Sequence, residues 1–173
     1  MSFHAYAAHS KTSPLKPFVY EPAPLGPHDV EIRISHCGIC HSDVHLVDGD
    51  WGMGSYPMVP GHEIVGTVAA LGPEVRHLEI GTRVGVGWQR GACLACEACG
   101  SGDENLCAAN VATCVGNHGG FADRVRLDGR FAFPIPEPLA SENAAPLLCG
   151  GATVYSPLRR WARPSMRVGA VQW

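Results

Sequence analysis

The stretch GHEIVGTVAALGPEV, residues 61–75, decides the fold because it joins a histidine–glutamate pair to a run of strand-forming residues. From Ile64 to Leu71 the run is rich in Val, Ile and Gly and is bounded by turn residues, which predicts a β-strand. His62 and Glu63 therefore stand at the entrance to a strand.

Three further segments predict strands on either side of this one. Val30–Ile34 alternates apolar and charged residues, the period of two expected of a strand with one buried face. It leads into the sequence HCGICHSD at residues 36–43. Downstream, Arg83–Trp88 predicts another strand, and Arg124–Phe133 predicts a hairpin around an Asp128-Gly129 turn.

Glycine and proline are spread along the whole chain rather than concentrated. With 21 Gly and 14 Pro in 173 residues, this distribution is typical of a β-rich domain with many turns. Ser141 is predicted to be the N-cap, with Glu142 in the first turn, of a helical stretch toward Leu148, so helices arrive late. The sequence therefore predicts a single, mainly β (α+β) domain.

Composition and charge argue against several classes of protein. Hydrophobic residues make up 46% of the chain and charged residues 17%, which favours a folded protein over a disordered one. The net charge is −3 and the basic residues are scattered, so nucleic-acid binding has no electrostatic support. The N-terminus has no apolar stretch of signal-peptide length and no long apolar run follows, so we expect a cytoplasmic protein that does not enter a membrane.

The segment CLACEACGSGDENLC, residues 93–107, predicts a closed metal site. Cys93, Cys96 and Cys99 recur at intervals of three, and Cys107 follows eight residues later. Four thiolates this close can surround one tetrahedral zinc ion with no open position, which indicates a structural role. Incidental cysteines or local disulfides are the alternative, disfavoured in a reducing compartment, and an iron–sulfur cluster is disfavoured by the spacing before Cys107.

A second set of metal-binding residue types is dispersed along the chain. Cys40 in GICHSD, His62 in PGHEIVG and Cys149 in LLCGGATVY are far apart, and each alone is more often a core residue than a ligand. Together they form the three-ligand set of a catalytic zinc, with the fourth position left for water or substrate oxygen. Asp43 is placed to receive the other ring N–H of a zinc-bound histidine, and Glu63 could approach the ion.

Several motifs in this order resemble those of the zinc-containing alcohol dehydrogenases of the medium-chain superfamily. The family signature reads here as Gly61, His62, Glu63, Gly66, Gly72 and Val75. The GICHSD segment, the four-cysteine segment and LLCGG match as well, so the resemblance covers nearly the whole chain. It implies a GroES-like catalytic domain over residues 1–160, with a zinc lobe at residues 91–108.

The resemblance also implies roles for individual residues. Cys40, His62 and Cys149 would bind the catalytic zinc with Glu63 as an alternating or close outer ligand, and the four lobe cysteines would bind the structural zinc. Ser42 would bond the substrate hydroxyl and His45 would continue the proton path, while His41 and Thr153 would approach the cofactor. No role is implied for Cys37 or Cys114.

The run WGMGSYPMVPGHE, residues 51–63, looks most like the cinnamyl-alcohol-dehydrogenase and aldehyde-reductase branch. This implies that Trp51 borders the substrate pocket, that NADP(H) is preferred and that primary alcohols and aldehydes are the substrates. A homodimer is expected for the full-length family.

No dinucleotide-binding fingerprint is present in the sequence. The glycine pairs Gly85/Gly87 and Gly100/Gly102 run into or lie within the cysteine segment, where no helix is expected to follow. The terminal RVGAVQW resembles the start of the family's first nucleotide-domain strand, so residues 161–173 are expected to open a Rossmann domain that the chain lacks. The alternative hypotheses are a noncatalytic zinc-binding module or an inactive gene fragment, and a nucleic-acid-binding zinc protein is disfavoured by the acidic lobe.

Overall fold

Nine strands and four α-helices are formed by the residues that the structure, a computed structural model, describes, namely 1–169. The strands are β1 (Phe3–Ala7), β2 (Lys16–Tyr20), β3 (Asp29–Cys37), β4 (Ile64–Leu71), β5 (Arg83–Val86), β6 (Gln89–Gly91), β7 (Val111–Ala112), β8 (Arg124–Asp128) and β9 (Phe133–Pro134). The helices are α1 (His41–Asp48), α2 (Glu97–Gly100), α3 (Ser141–Ala144) and α4 (Gly150–Trp161). Short 3-10 turns lie at Glu104–Leu106, Gly129–Phe131 and Ala145–Leu148.

The central layer is a five-stranded antiparallel sheet in the order β8-β3-β4-β5-β9. Two two-stranded sheets, β1 with β2 and β6 with β7, flank it. The mainly β prediction is confirmed, and β4 has the predicted bounds Ile64–Leu71. β3 extends beyond the predicted Val30–Ile34, and β5 stops two residues before the predicted Trp88.

The predicted hairpin over Arg124–Phe133 is wrong. β8 ends at Asp128, whose Oδ1 accepts the backbone N–H of Arg130 at 3.0 Å and so begins a 3-10 turn. The buried ring of Phe131 draws this turn onto the core, and the chain then joins the opposite edge of the sheet as β9. Because the Asp128 side chain accepts a backbone hydrogen bond, a 3-10 turn forms here in place of the two-residue hairpin turn that an Asp-Gly pair favours.

The prediction that helices arrive late is also wrong, because α1 begins at His41. Cys40 is its extended N-cap, the Asp43 carboxylate accepts the Cys40 N–H at 3.1 Å, and Gly49 ends the helix at φ 66°. Its only buried residues are Asp43 and Leu46, so it carries almost no apolar periodicity. The absence of an apolar stripe explains why hydrophobic periodicity does not predict α1.

The C-terminal helices differ from expectation in detail. Ala140, and not Ser141, is the N-cap of α3, and the chain continues as a 3-10 turn to Leu148. α4 was not anticipated, and none of its residues is buried. No helix in residues 1–169 is long and apolar enough to cross a membrane. In the predicted nucleotide-domain strand RVGAVQW, residues 167–169 form no regular element and 170–173 lie outside the described residues.

The main core lies on one face of the central sheet. Alternate residues of β3 and β4 point into it, and β5, β8 and the turn at Phe131 close it. Its buried members are Val30, Ile32, Ile64, Val68, Val75, Leu78, Val84, Val86, Val125, Leu127, Phe131 and Ala132. Leu94, from the zinc lobe, packs against the same cluster, which anchors the lobe to the sheet.

A glycine sets the spacing of the two longest strands. A Cβ added at Gly66 would lie 2.3 Å from the carbonyl oxygen of Arg33 and 2.6 Å from Cγ2 of Ile32. Both neighbours belong to β3, which pairs with β4. The backbones can approach this closely only because residue 66 has no side chain.

Gly66→Ala is therefore expected to lower the free energy of unfolding by about 3 kcal/mol or more, because strand backbone must move to admit the methyl group. Urea unfolding followed by circular dichroism at saturating zinc measures it. Gly100→Ala is the matched control, since a Cβ there meets nothing within 4 Å, and it should change stability by less than about 0.5 kcal/mol. Equal stabilities of the two variants would contradict this role for Gly66.

A buried carboxylate joins β3 to β8. Glu31 is 5% exposed and is paired with Arg124 at 2.6 Å and with Arg126 at 2.5 Å. Burial alone would raise the pKa of Glu31, but the hydrogen bonds from Arg126 and Arg124 outweigh it and hold that pKa below its ordinary value. Because the folded-state pKa is lowered, this carboxylate stabilises the fold above its ordinary pKa, and that stabilisation is lost as the pH falls through the lowered value.

We expect Glu31→Gln to lower the free energy of unfolding at pH 7 by about 1–3 kcal/mol, because the amide leaves two partly buried guanidinium groups uncompensated. Glu74→Gln removes the same charge at an exposed position and should have little effect. Denaturant unfolding of both variants at pH 7 decides the matter, and similar losses in the two would rule out a specific contribution from the Glu31 pairs.

Candidate metal centres and substrate cleft

The four cysteines of the zinc lobe are gathered at one point. The Sγ–Sγ distances are 3.5 Å for Cys96–Cys99, 3.5 Å for Cys93–Cys107 and 3.9 Å for Cys93–Cys99. Zinc–sulfur bonds of about 2.3 Å in a tetrahedron place sulfurs about 3.8 Å apart, whereas a disulfide needs about 2.05 Å. The geometry therefore fits four ligands of one ion and no disulfide between them.

Local backbone conformation brings the first two of these thiols together. Leu94 has φ 54°, a left-handed conformation, and the backbone N–H groups of Ala95 and Cys96 point at the Cys93 sulfur. These hydrogen bonds lower the pKa of Cys93 to about 6, which favours the thiolate that binds metal. Burial and hydrogen bonds with neighbouring thiols raise the pKa of Cys99 to about 12, so full ionisation of the group calls for a cation.

The structure also brings together the dispersed residues of the second set. Donor atoms of Cys40, His62, Glu63 and Cys149 lie within 4.8 Å of one another. Cys40 Sγ is 3.7 Å from Cys149 Sγ, and His62 Nε2 is 3.2 Å from Cys149 Sγ. Two thiols and one imidazole nitrogen converge while a carboxylate stands beside them, which is a donor set that suits zinc.

Asp43 fixes the orientation of this second cluster. Its carboxylate is 3% exposed and accepts hydrogen bonds from His62 Nδ1 at 2.9 Å, Gly61 N at 2.9 Å and Cys40 N at 3.1 Å. With Nδ1 engaged, His62 Nε2 is directed at the thiols. Buried Cys114 also lies within 4.8 Å of the Asp43–His62 pair, a neighbour that the sequence did not indicate.

Ser42 forms hydrogen bonds with the thiol of Cys40. Burial alone would raise the pKa of Cys40, but hydrogen bonds with the backbone N–H and hydroxyl of Ser42 outweigh it and lower that pKa. The Sγ–Oγ distance is 3.6 Å. The start of α1 therefore favours a thiolate at the cluster. Cys37, by contrast, has its pKa raised to about 12 by burial and belongs to neither cluster.

Three glycines, to which the sequence assigns no role at the metal site, make room for the cluster. A Cβ at Gly38 would lie 1.9 Å from Oε2 of buried Glu63, so no larger residue fits beside this carboxylate. Gly85 and Gly87 stand against Leu148, with added Cβ atoms 2.8 Å from its Cδ1 and 2.5 Å from its carbonyl oxygen respectively. The pair dismissed as a nucleotide-binding decoy therefore seats the residue immediately before Cys149.

A cleft of about 320 Å³ opens beside the second cluster. It is lined by Ser42, Trp51, Trp88, Leu148, Cys149, Ala152 and Thr153. Trp88, which the sequence presented only as a strand residue, packs edge-on against His62 with ring centroids 5.0 Å apart and faces Trp51 at 6.3 Å. Ser42, Trp51 and Thr153 all line this cleft. The roles that the resemblance implies for them, a substrate contact for Ser42, a pocket border for Trp51 and a cofactor contact for Thr153, stay predictions.

The two histidines of α1 lie to one side of the cleft wall. His45 Nδ1 is 2.8 Å from Oδ2 of Asp50, and its ring lies 4.6 Å from that of His41 and 5.1 Å from that of Trp51. Asp50 was not singled out in the sequence, because it lies five residues after His45 and beyond the end of α1, where no helical spacing pairs the two. Neither histidine belongs to the lining of the cleft.

This chain, a mainly β domain with a four-cysteine lobe and a Cys-His-Cys cluster, matches a known family model. Residues 26–137 match the model described as the alcohol dehydrogenase GroES-like domain. The chain belongs to the zinc-dependent medium-chain alcohol dehydrogenase family.

Individual relatives narrow the comparison. Aldehyde reductase AdhA of Synechocystis is 46% identical over 96% of this chain and 50% of its own length. The structure of a cinnamyl alcohol dehydrogenase from Sorghum bicolor superposes with a TM-score of 0.90 at 38% identity, covering 94% of this chain and 48% of that one. The Helicobacter pylori enzyme complexed with NADP(H) gives 0.88 at 36% identity, covering 92% and 49%. The chain spans about half the length of the relatives it matches.

If the two clusters are independent metal sites, Cys107→Ser should halve the zinc retained after dialysis, from about two equivalents to about one, because a lobe with three thiolates binds far more weakly. Elemental analysis gives the count. Cys37→Ala is the control, since it removes a thiol outside both clusters and should leave the count unchanged. Undiminished zinc in Cys107→Ser, or a loss in Cys37→Ala, would refute the assignment.

Proposed function

We propose that residues 1–160 form the metal- and substrate-binding domain of a zinc-dependent enzyme that interconverts primary alcohols and aldehydes with NADP(H). The observation that carries this proposal is the convergence of Cys40, His62 and Cys149 on a cleft that Ser42 lines. The similarity to an aldehyde reductase and to cinnamyl alcohol dehydrogenases, one of them complexed with NADP(H), supports it.

The residues of the second cluster would hold a catalytic zinc ion. Cys40, His62 and Cys149 would be its ligands and Glu63 a close outer carboxylate, with Asp43 holding the imidazole. Such an ion acts as a Lewis acid toward an alcohol or carbonyl oxygen. The four cysteines at 93, 96, 99 and 107 would hold a second zinc whose role is to fix the lobe, because four thiolates leave no position for substrate.

The side chains of the cleft would orient the substrate and move its proton. The Ser42 hydroxyl can accept the proton of a bound alcohol and pass it on without holding charge. His45, oriented by its contact with Asp50, can receive that proton and deliver it to solvent. Asp50 is thus a positioning residue. The faces of Trp51 and Trp88 leave room for a flat or extended apolar tail, which suits aliphatic and aromatic primary alcohols.

The nicotinamide half of the reaction depends on residues at the rim of this cleft. Thr153 lines the cleft from α4, and His41 opens α1, so both could approach a cofactor laid across it. Residues 1–169 form no strand, glycine turn and helix unit of the dinucleotide-binding kind. A noncatalytic zinc-binding module is the second candidate, because hydride transfer needs a bound nicotinamide.

Replacing zinc by cobalt(II) reports on the cleft without requiring turnover. Ser42→Ala should weaken the binding of cinnamyl alcohol, read from the visible spectrum of the cobalt protein, by about three- to tenfold, because one hydrogen bond is lost. Binding of pyridine, which has no hydroxyl, should be unchanged, and Ser42→Thr should restore alcohol binding. Equal losses for both ligands, or none, would remove Ser42 from the substrate site.

The reaction itself is tested by aldehyde-dependent oxidation of NADPH by the zinc-loaded protein. Turnover that disappears in Cys149→Ser and falls in Ser42→Ala would establish the dehydrogenase. Zinc bound at both clusters, no turnover with NADPH or NADH, and no binding of cinnamyl alcohol at the cobalt-substituted second cluster would together establish the noncatalytic module instead.

A further inference from the structure

A second cavity, of about 410 Å³, has a wall of its own. No residue of its wall belongs to either cysteine cluster or to the substrate cleft. Aromatic rings form part of this wall: His118 lies 4.1 Å from Tyr20 between ring centroids, and Phe3 lies 5.6 Å from Tyr20. The cavity is of the size that small-molecule sites occupy and has flat apolar surfaces.

Arg90 brings to this cavity a positive charge that forms no ion pair within residues 1–169. Its guanidinium donates to the backbone carbonyls of His118, at 3.4 Å, and of Arg126. Within residues 1–169 no carboxylate lies within 4.0 Å of it. Burial lowers the pKa of Arg90, which reflects the cost of charge at this position. A partly buried guanidinium that has no ion pair favours an anionic partner.

Two further polar atoms in the same wall have no partner. His118 Nδ1 and Arg126 Nε are buried and make no hydrogen bond with residues 1–169. Arg90 donates to the backbone carbonyls of these same two residues, His118 and Arg126. The polar atoms without a hydrogen-bond partner are therefore close to one guanidinium. Buried polar atoms are almost always paired, so these two exceptions mark the surroundings of Arg90 as a place where polar groups of the protein are not fully satisfied by one another.

The acidic residues of the wall limit how much negative charge can enter. Glu21 is paired with the N-terminal ammonium at 3.2 Å, Asp128 is paired with Arg130 at 2.5 Å, and Asp29 accepts a backbone N–H. Arg126 is already paired with a carboxylate of β3. Arg90 is therefore the wall cation that has no carboxylate within 4.0 Å in residues 1–169, and Asp29 attracts it only from a longer distance. The three nearby carboxylates would repel a polyanion such as phosphate.

We propose that this cavity binds a small organic monocarboxylate, with its carboxylate at the Arg90 guanidinium and its apolar tail against the rings of Tyr20 and His118. A planar carboxylate can accept two parallel N–H bonds from a guanidinium. The tail gains contact with aromatic faces that otherwise meet water. The site is independent of the zinc clusters and of the reaction proposed for them.

Benzoate is the probe, and the readout is the side-chain Nε–Hε resonances of Arg90 and Arg126 in the zinc-loaded, ¹⁵N-labelled chain at constant ionic strength. Saturable shifts of both resonances are expected. Benzamide, which has the same shape without the charge, and inorganic phosphate should each bind at least about tenfold more weakly. Absence of saturation with benzoate, or equal binding of benzamide or phosphate, would overturn the proposal.

Variants locate the site. Arg90→Gln should weaken benzoate about tenfold or more, whereas Arg76→Gln, the same charge change at an exposed position, should leave binding unaltered. If Arg90→Gln does not fold, His118→Phe keeps an aromatic ring beside Tyr20 while removing the nitrogen, and it should weaken benzoate severalfold. Benzoate binding unchanged in His118→Phe and in any folded Arg90→Gln would place it elsewhere and overturn the assignment.

Discussion

The hydrogen bonds accepted by the Asp43 carboxylate are the contact on which the rest of the site depends. One buried side chain receives N–H groups from the start of α1, from the glycine before β4 and from the imidazole of His62. A carboxylate this deeply buried is stable only when its oxygens are satisfied, so the two stretches of chain are held in one relative position. The thiol of Cys40 and the imidazole of His62 are thereby held in position by the protein itself.

The two cysteine-rich clusters use similar atoms for opposite purposes. In the lobe, four thiols from fifteen consecutive residues face one another, and the side chain of Leu94 ties them to the main core. In the second cluster the donors come from three distant segments that the sheet brings together, and a cleft lies beside them. Local sequence closes the first cluster, whereas the fold builds the second and leaves one side open.

The sequence predicted the structure best where neighbouring residues determine both the sequence pattern and the local structure. The bounds of β4 follow from its β-branched residues, and the lobe is visible because its ligands are neighbours in the chain. Helix α1 could not be seen, because a capping carboxylate rather than an apolar stripe defines it. Asp128-Gly129 misled because the aspartate bonds its own backbone and the burial of Phe131 redirects the chain. Trp88 and Gly38 matter through contacts with residues far away in sequence, which no local pattern reports.

Gly85 and Gly87 have a kinetic consequence. Cys40 and His62 are joined through hydrogen bonds to Asp43. Cys149, by contrast, follows Leu148, which packs against Gly85 and Gly87 at the end of β5. α4, which follows Cys149, buries none of its own residues. Lifting this segment, residues 148–149, would detach a single sulfur and leave the other donors in place. If the second cluster holds a metal ion, the packing of Leu148 against Gly85 and Gly87 therefore bears on how fast that ion enters and leaves, and a methyl group added at either glycine would change the exchange rate without touching a ligand.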